Sequence, residues 1–274
     1  PLFSRLSTTS CDVDASKCFC PYAFALSPGC VRGLIPPGYC VSEAEEVGLI
    51  WPFGDWVLWQ AAQHAYAWQQ PYAMLLPLRM SVNVSARQFR EPGFAAIVAD
   101  VLAQYPLKPR TLVLEITESL LIEDDGVAEI VGEISAMGVL FALDDFGTGY
   151  SALGYLRRFP INILKLDKSF VDDLLTSSDR GSLVEAIIHL AGTLELDLVV
   201  EGIESKEQNQ RLRSMGCQLA QGFFYSRPIA FADIELMLDD QVLFEGVVTP
   251  IKAAQGPPHP RAGKSAAAVK IWRA

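Results

Sequence analysis

Residues 111–150 read TLVLEITESLLIEDDGVAEIVGEISAMGVLFALDDFGTGY, which is the pattern of a strand, a helix and a second strand. Short apolar runs predict the strands over Thr111–Ile116 and Val139–Leu143. The intervening helix is indicated by apolar residues at helical spacing: Val127, Ile130, Val131, Ile134 and Met137. Two parallel strands joined by a helix are the repeating unit of α/β folds.

The same alternation continues on both sides of this unit. Upstream, an apolar face predicts a helix after Pro52, followed by a strand over Arg79–Val84 and a helix from Phe94. Downstream, strands are predicted over Ile163–Leu166, over Asp197–Val200 and near Gln218–Phe223. Two helix caps are also predicted, Ser182 with Glu185 and Ser205 with Gln208. The fold class is therefore α/β, a parallel TIM-like (β/α) barrel whose N-terminal strands are atypical or incomplete.

The two ends of the chain differ from this pattern. Residues 1–31 show no periodicity and are expected to be irregular or artefactual, 32–243 form the barrel domain, and 244–274 form a basic tail expected to be disordered. Five of the six cysteines lie in the first forty residues, without zinc-ligand spacing or a secretory leader. A cytoplasmic location is the resulting expectation.

Net charge and the length of apolar runs argue against binding to a nucleic-acid polymer and against a membrane span. The formal net charge is −10, whereas nonspecific binding to a nucleic-acid polymer depends on clustered Lys and Arg. No window supplies the length of apolar sequence that a membrane-spanning helix requires. We therefore expect neither a nucleic-acid polymer nor a membrane span.

Polar residues recur where the predicted strands end. They are Asn83, Glu115, Asp144, Asp145, Lys165, Glu201 and Gln221. Any one of them is more simply interpreted as a helix cap or a turn residue. Together they predict one site, because the carboxyl ends of barrel strands meet at one rim. Converging carboxylates and an amide favour hard divalent cations, Mg²⁺ or Mn²⁺, and hence phosphodiester hydrolysis at a two-metal site.

Six motifs in order give the chain a family resemblance: VNVSARQF, LEITES, DDFGTGYS, LKLDKSFV, VVEGIES and QGFFYSRP. From about Arg32 to Leu243 the sequence resembles the EAL domain of bacterial cyclic di-GMP phosphodiesterases. The resemblance implies hydrolysis of cyclic di-GMP to the linear dinucleotide pGpG with two Mg²⁺ or Mn²⁺ ions. It is compatible with a homodimer and with an upstream sensory or cyclase domain.

The resemblance also implies a role for each of the matching residues. Asn83, Glu115 and Asp144 would bind metal, with Asp145 serving the second ion. Glu201 would be the general base, Lys165 would contact the attacking water or the phosphate, and Gln221 would assist the site. Glu118 would hold the DDFGTGY loop.

One expected motif is missing. An ungapped comparison backwards from RGLIPP places Tyr22 where the family has a metal-binding glutamate, and Leu26 where it has an arginine. Three functions follow as alternatives: an active phosphodiesterase, a catalytically impaired cyclic di-GMP receptor, and a protein-interaction scaffold. A misread segment over residues 1–31 and a degenerate domain are competing explanations of the missing motif.

Overall fold

The computed structural model describes residues 25–26, 34–35, 44, 46–71, 78–122, 126–147, 153–156, 158–175, 178–225, 234–235 and 269–273. Its strands, in chain order, are β1 Ala25–Leu26, β2 Leu34–Ile35, β3 Leu78–Asn83, β4 Leu112–Thr117, β5 Leu140–Phe146, β6 Ile163–Leu166, β7 Asp197–Val200, β8 Leu219–Ala220 and β9 Val269–Arg273. No helix within these ranges is long and apolar enough to cross a lipid bilayer.

Helices alternate with the strands as the sequence predicts. They are α1 Ile50–Gln69, α2 Ala86–Phe89, α3 Phe94–Gln104, α4 Glu118–Ile122, α5 Gly126–Ala136, α6 Leu153–Leu156, α7 Ser169–Asp172, α8 Ser178–Thr193 and α9 Lys206–Ser214. Strands β3 to β8 are parallel and lie in sequential order in one curled sheet. This is the curled parallel sheet of a TIM-like barrel, which confirms the predicted fold class.

The two faces of the sheet carry different side chains. In β4, Leu112, Leu114 and Ile116 join the large core that includes the helices. Val113 instead belongs to a smaller apolar cluster with Leu140, Ala142, Ile163 and Val199. Since side chains alternate along a strand, β4 has one face under the helices and the other inside the curl. Glu115 shares the inner face with Val113.

Several predicted elements are confirmed. The helix predicted after Pro52 is α1, and its predicted apolar residues are buried: Leu58, Ala61, Ala62 and Ala65. It begins at Ile50, which is compatible with Pro52 because proline is tolerated in the first turn of a helix. Strands β6 and β7 have the predicted bounds. Ser205 and Gln208 form the predicted capping box before α9.

Other predictions about elements were wrong in detail. Helix α8 begins at Ser178, so Ser182 and Glu185 lie inside it and do not cap it. Leu183, next to Ser182 in this helix, is 45% exposed. The cap signal was ambiguous because serine is tolerated on an exposed helix face as well as at its start. The strand predicted near Gln218–Phe223 is confined to Leu219–Ala220.

The two ends also show order that the sequence did not predict. Ala25–Leu26 pairs antiparallel with Leu34–Ile35. Within the tail expected to be disordered, β9 pairs antiparallel with β3, from Val269 opposite Val82 to Arg273 opposite Leu78. The expectation of disorder is therefore corrected for 269–273, while 244–268 and Ala274 lie outside the described residues. The two paired segments lie so far apart in the sequence that no local sequence pattern could predict their pairing.

Candidate active site

The polar residues at the strand ends lie at one rim of the sheet. Asn83 ends β3 and is paired in register with Glu115 of β4. Asp144 lies in β5 and Lys165 in β6, while Glu201 and Gln221 follow the last residues of β7 and β8. Parallel strands present their carboxyl ends at the same edge, which brings these residues to one rim.

Lys165 stands at the centre of the site. Its ammonium Nζ lies 2.8 Å from Oε2 of Glu115, 2.6 Å from Oδ1 of Asp144 and 2.7 Å from Oε1 of Glu201. The Lys165 side chain is 3% exposed, and the carboxylates range from fully buried Glu115 to Glu201 at 19%. Carboxylates from β4, from β5 and from the segment after β7 thus surround one ammonium group. This provides the pairing that a buried charge requires.

Asp145 lies beside this cluster on strained backbone. Its φ is +54°, a left-handed value that is uncommon for a residue other than glycine. The strain coincides with an irregularity in the pairing of β5 with β6 between Leu143 and Phe146. Burial raises the pKa of the Asp145 carboxyl, and nearby carboxylates, including Asp144, raise it further. Two successive acidic residues thus lie near the end of β5, and the backbone of the second is strained.

Glu118 contacts the first glycine of the DDFGTGY motif. Its Oε1 accepts a hydrogen bond of 3.1 Å from the Gly147 amide, and burial raises the pKa of its carboxyl. Gly147 has φ of +90°, and a side chain there would meet the ring of Phe170. Gly147 thus needs to be glycine on two grounds. Loop residues 148–152 lie outside the described residues.

Backbone hydrogen bonds hold the segment that follows β7, which begins at Glu201, against the ends of β6 and β8. The Glu201 amide donates to Leu166 O at 3.0 Å, and the Gln221 amide donates to Val200 O at 2.8 Å. A Cβ on Gly222 would stand 2.1 Å from Ile203 O. Only glycine therefore allows the segments after β7 and β8 to approach so closely. The sequence analysis did not single out Gly222, although the motif QGFFYSRP contains it.

A second glycine places Lys168 against the same loop. Gly202 has φ of +74°, and a Cβ there would lie 2.3 Å from Cγ of Lys168. The Lys168 ammonium forms an ion pair with Glu204, which raises the pKa of Lys168. Motifs LKLDKSFV and VVEGIES are thereby joined through Lys168. This contact could not be predicted from the sequence because the two residues lie far apart along the chain.

The family model for the EAL domain matches residues 30–228. The chain belongs to the EAL domain family. The bifunctional diguanylate cyclase/cyclic di-GMP phosphodiesterase MucR of Pseudomonas aeruginosa is 41% identical over 72% of this chain and 29% of its own length. The cyclic di-GMP phosphodiesterase PdeR of Escherichia coli is 39% identical over 72% of this chain and 30% of its own length.

A solved structure extends this likeness to three dimensions. The PaMucR phosphodiesterase in complex with c-di-GMP has a TM-score of 0.71 and 39% identity, covering 77% of this chain and 84% of that one. This chain spans under a third of the length of MucR and PdeR. The match begins after Tyr22, so the segment expected to carry the family's name motif lies before it.

The donor set of this EAL domain suits hard divalent cations in its chemistry. Asn83, Glu115, Asp144 and Asp145 offer an amide and carboxylate oxygens, which are the ligands that Mg²⁺ and Mn²⁺ prefer. Among the described residues, no group of three or more His, Cys, Asp or Glu side chains is arranged to hold a metal ion. The carboxylates converge on the Lys165 ammonium instead.

Proposed function

We propose that this EAL domain hydrolyses cyclic di-GMP to pGpG. The proposal is carried by the contact of Lys165 with Glu115, Asp144 and Glu201 at the rim of the sheet. A buried cation among carboxylates has few structural uses at the rim of a barrel, whereas barrel enzymes place their reacting groups there. Membership of the EAL family supplies the substrate class.

Metal binding is assigned to the four oxygen donors at the ends of three strands. Asn83, Glu115 and Asp144 would hold one Mg²⁺ or Mn²⁺ ion, and Asp145 would serve the second. Two such ions supply an activated water and stabilise the charge of the phosphate oxygens. The strained backbone at Asp145 supports this role, because strain of this kind concentrates at functional sites.

Glu201 is assigned as the general base. Of the three carboxylates on Lys165, its side chain is the most exposed, so it has the best access to the attacking water. Lys165 orients the Glu201 carboxylate through its 2.7 Å contact and presents a positive charge to the phosphate. Gln221 reaches the same rim after β8 and is assigned to substrate orientation.

A receptor without turnover is the second candidate function. It is favoured by Tyr22, which stands where the ungapped comparison expects a metal-binding glutamate. Loss of one anionic ligand weakens metal binding and misplaces the nucleophilic water, and a small misplacement alone costs about a hundredfold in rate. Nucleotide binding does not depend on that step and would survive. A pure interaction scaffold is disfavoured because Glu115, Asp144, Asp145 and Glu201 are all present.

The proposed activity implies a ligand and possible protein partners. Cyclic di-GMP is the proposed ligand, and a homodimer and an upstream sensory or cyclase domain are proposed from the family resemblance. The length of MucR and PdeR, of which this chain spans under a third, supports the second of these. A cytoplasmic location is proposed because cyclic di-GMP signalling would place the ligand there.

The test compares Glu201→Gln with the unsubstituted chain. The amide keeps the size of the side chain but cannot accept the proton from water, so we expect loss of pGpG formation by about a hundredfold or more. Affinity for cyclic di-GMP, measured in Ca²⁺ by calorimetry, should change less than threefold. Equal turnover by the two proteins would remove Glu201 from the general-base role, and loss of binding would indicate a structural role.

A further inference from the structure

Helix α1 lies close against helix α2 at Gly54. A Cβ built on Gly54 would stand 1.6 Å from Nε2 and 2.3 Å from Cδ of Gln88. No side chain larger than hydrogen fits at Gly54 unless the Gln88 amide moves. Glycine is a poor residue inside a helix, so its presence in the second turn of α1 calls for a packing reason.

The side-chain amide of Gln88 cannot move without the loss of a hydrogen bond. Gln88 is 4% exposed, and its Oε1 accepts a hydrogen bond of 3.2 Å from the Ser85 amide. In return, the backbone N–H of Gln88 donates to Oγ of Ser85 at 3.2 Å, which completes a capping box at the start of α2. The end of a glutamine side chain is flexible, so an alanine at 54 would displace it. That displacement breaks the bond to Ser85.

Ser85 lies two residues after the proposed metal ligand Asn83. Between them, Val84 donates its amide to Glu115 O at 2.9 Å, and Asn83 itself is paired in register with Glu115. The capping box therefore fixes the chain just where it leaves β3 and turns into α2. We expect a change in the box to alter the path of residues 83–85, and with it the place of the Asn83 side chain.

We propose that Gly54 is a positioning residue for Asn83, acting through Gln88 and the Ser85 capping box. The proposal rests on the proposed function, since it takes Asn83 to be a metal ligand. Groups that orient a metal ligand typically contribute about 10-fold to 100-fold in metal affinity. Gly54 touches neither metal nor substrate, and its effect is transmitted by one side chain.

The test substitutes Gly54→Ala and uses Gly132→Ala as the matched control. Gly132 also lies inside a helix, α5, but a Cβ there would meet no atom within 4 Å. Two measurements are made on each protein: hydrogen exchange of the Val84 and Ser85 amides without metal, and Mn²⁺ affinity by calorimetry. We expect Gly54→Ala to speed exchange of these amides about tenfold and to weaken Mn²⁺ binding about tenfold. Gly132→Ala should change neither.

A third variant identifies the side chain that transmits the effect. Gln88→Ala removes the atoms that a Cβ at 54 would meet, so adding Gly54→Ala to it should cause no further change in exchange or affinity. Equal further change in the Gln88→Ala background would overturn transmission through Gln88. Exchange rates of Gly54→Ala equal to those of Gly132→Ala would overturn the positioning role itself.

Failure of the proposed function has a different signature. An unsubstituted chain that binds neither Mn²⁺ nor cyclic di-GMP would refute the function of the site, and with it the assignment of Asn83. Exchange at Val84 and Ser85 requires no ligand, so it would still report whether Gly54 fixes this segment.

Discussion

Replacing Lys165 with methionine should destabilise the protein strongly when no metal is bound. The variant keeps the aliphatic volume but removes the cation from Glu115, Asp144 and Glu201, which lie 2.6–2.8 Å from Nζ. Removing one partner of a buried ion pair typically costs about 3–5 kcal/mol, because it leaves an uncompensated buried charge. Here the fully buried Glu115 carries most of that cost. We expect a loss of about 3–5 kcal/mol in the free energy of unfolding at pH 8.

Urea unfolding followed by tryptophan fluorescence in EDTA at pH 8 measures this loss. Mn²⁺ should restore part of the stability by binding the folded state alone.

Lys168→Met is the matched control for this experiment. Lys168 is also paired with a carboxylate, that of Glu204, but both side chains are about half exposed. Exposed ion pairs contribute about 0–1 kcal/mol, so the control should unfold nearly as the unsubstituted chain does. A loss below about 1 kcal/mol for Lys165→Met would refute the inference that Lys165 compensates the buried carboxylates.

Three further predictions concern the glycine contact, the cysteine and the missing motif. Gly222→Ala should cost about 1–3 kcal/mol in urea unfolding, because its Cβ would overlap the Ile203 backbone; unchanged stability would contradict that close approach. Burial raises the pKa of Cys217 to about 11, so its alkylation at pH 8 should be roughly 100-fold slower than that of an ordinary thiol, and fast labelling of its peptide by mass spectrometry would contradict this. Tyr22→Glu should tighten Mn²⁺ binding in calorimetry, and an unchanged affinity would count against the ungapped alignment.

The rim of the site could be predicted from the sequence because its information is local. Each short apolar run is followed by a polar residue, and parallel strands bring those ends together whatever the details of the loops. Asn83, Glu115, Asp144, Lys165 and Glu201 were found in this way, without any measured distance. Their convergence on one lysine could not be predicted, since a spacing along the chain does not fix which side chains touch.

The contacts that were missed join residues that are distant in sequence. Gly54 meets Gln88, and Gly222 meets the backbone of Ile203; in both cases the signal is a glycine, which in a sequence alone also marks turns and helix ends. The pairing of β9 with β3 is longer in range still. Local chemistry predicts elements and their ends, whereas close approaches between elements depend on how the whole chain packs.

The most direct test of the account is the turnover of cyclic di-GMP by the unsubstituted chain in Mn²⁺. The products are separated by chromatography, and nucleotide binding is measured in Ca²⁺ on the same preparation. The account predicts conversion to pGpG that is abolished by EDTA. Binding without any pGpG would make the domain a receptor and contradict the phosphodiesterase function, and a folded chain that neither binds nor hydrolyses the nucleotide would contradict the whole assignment of the site.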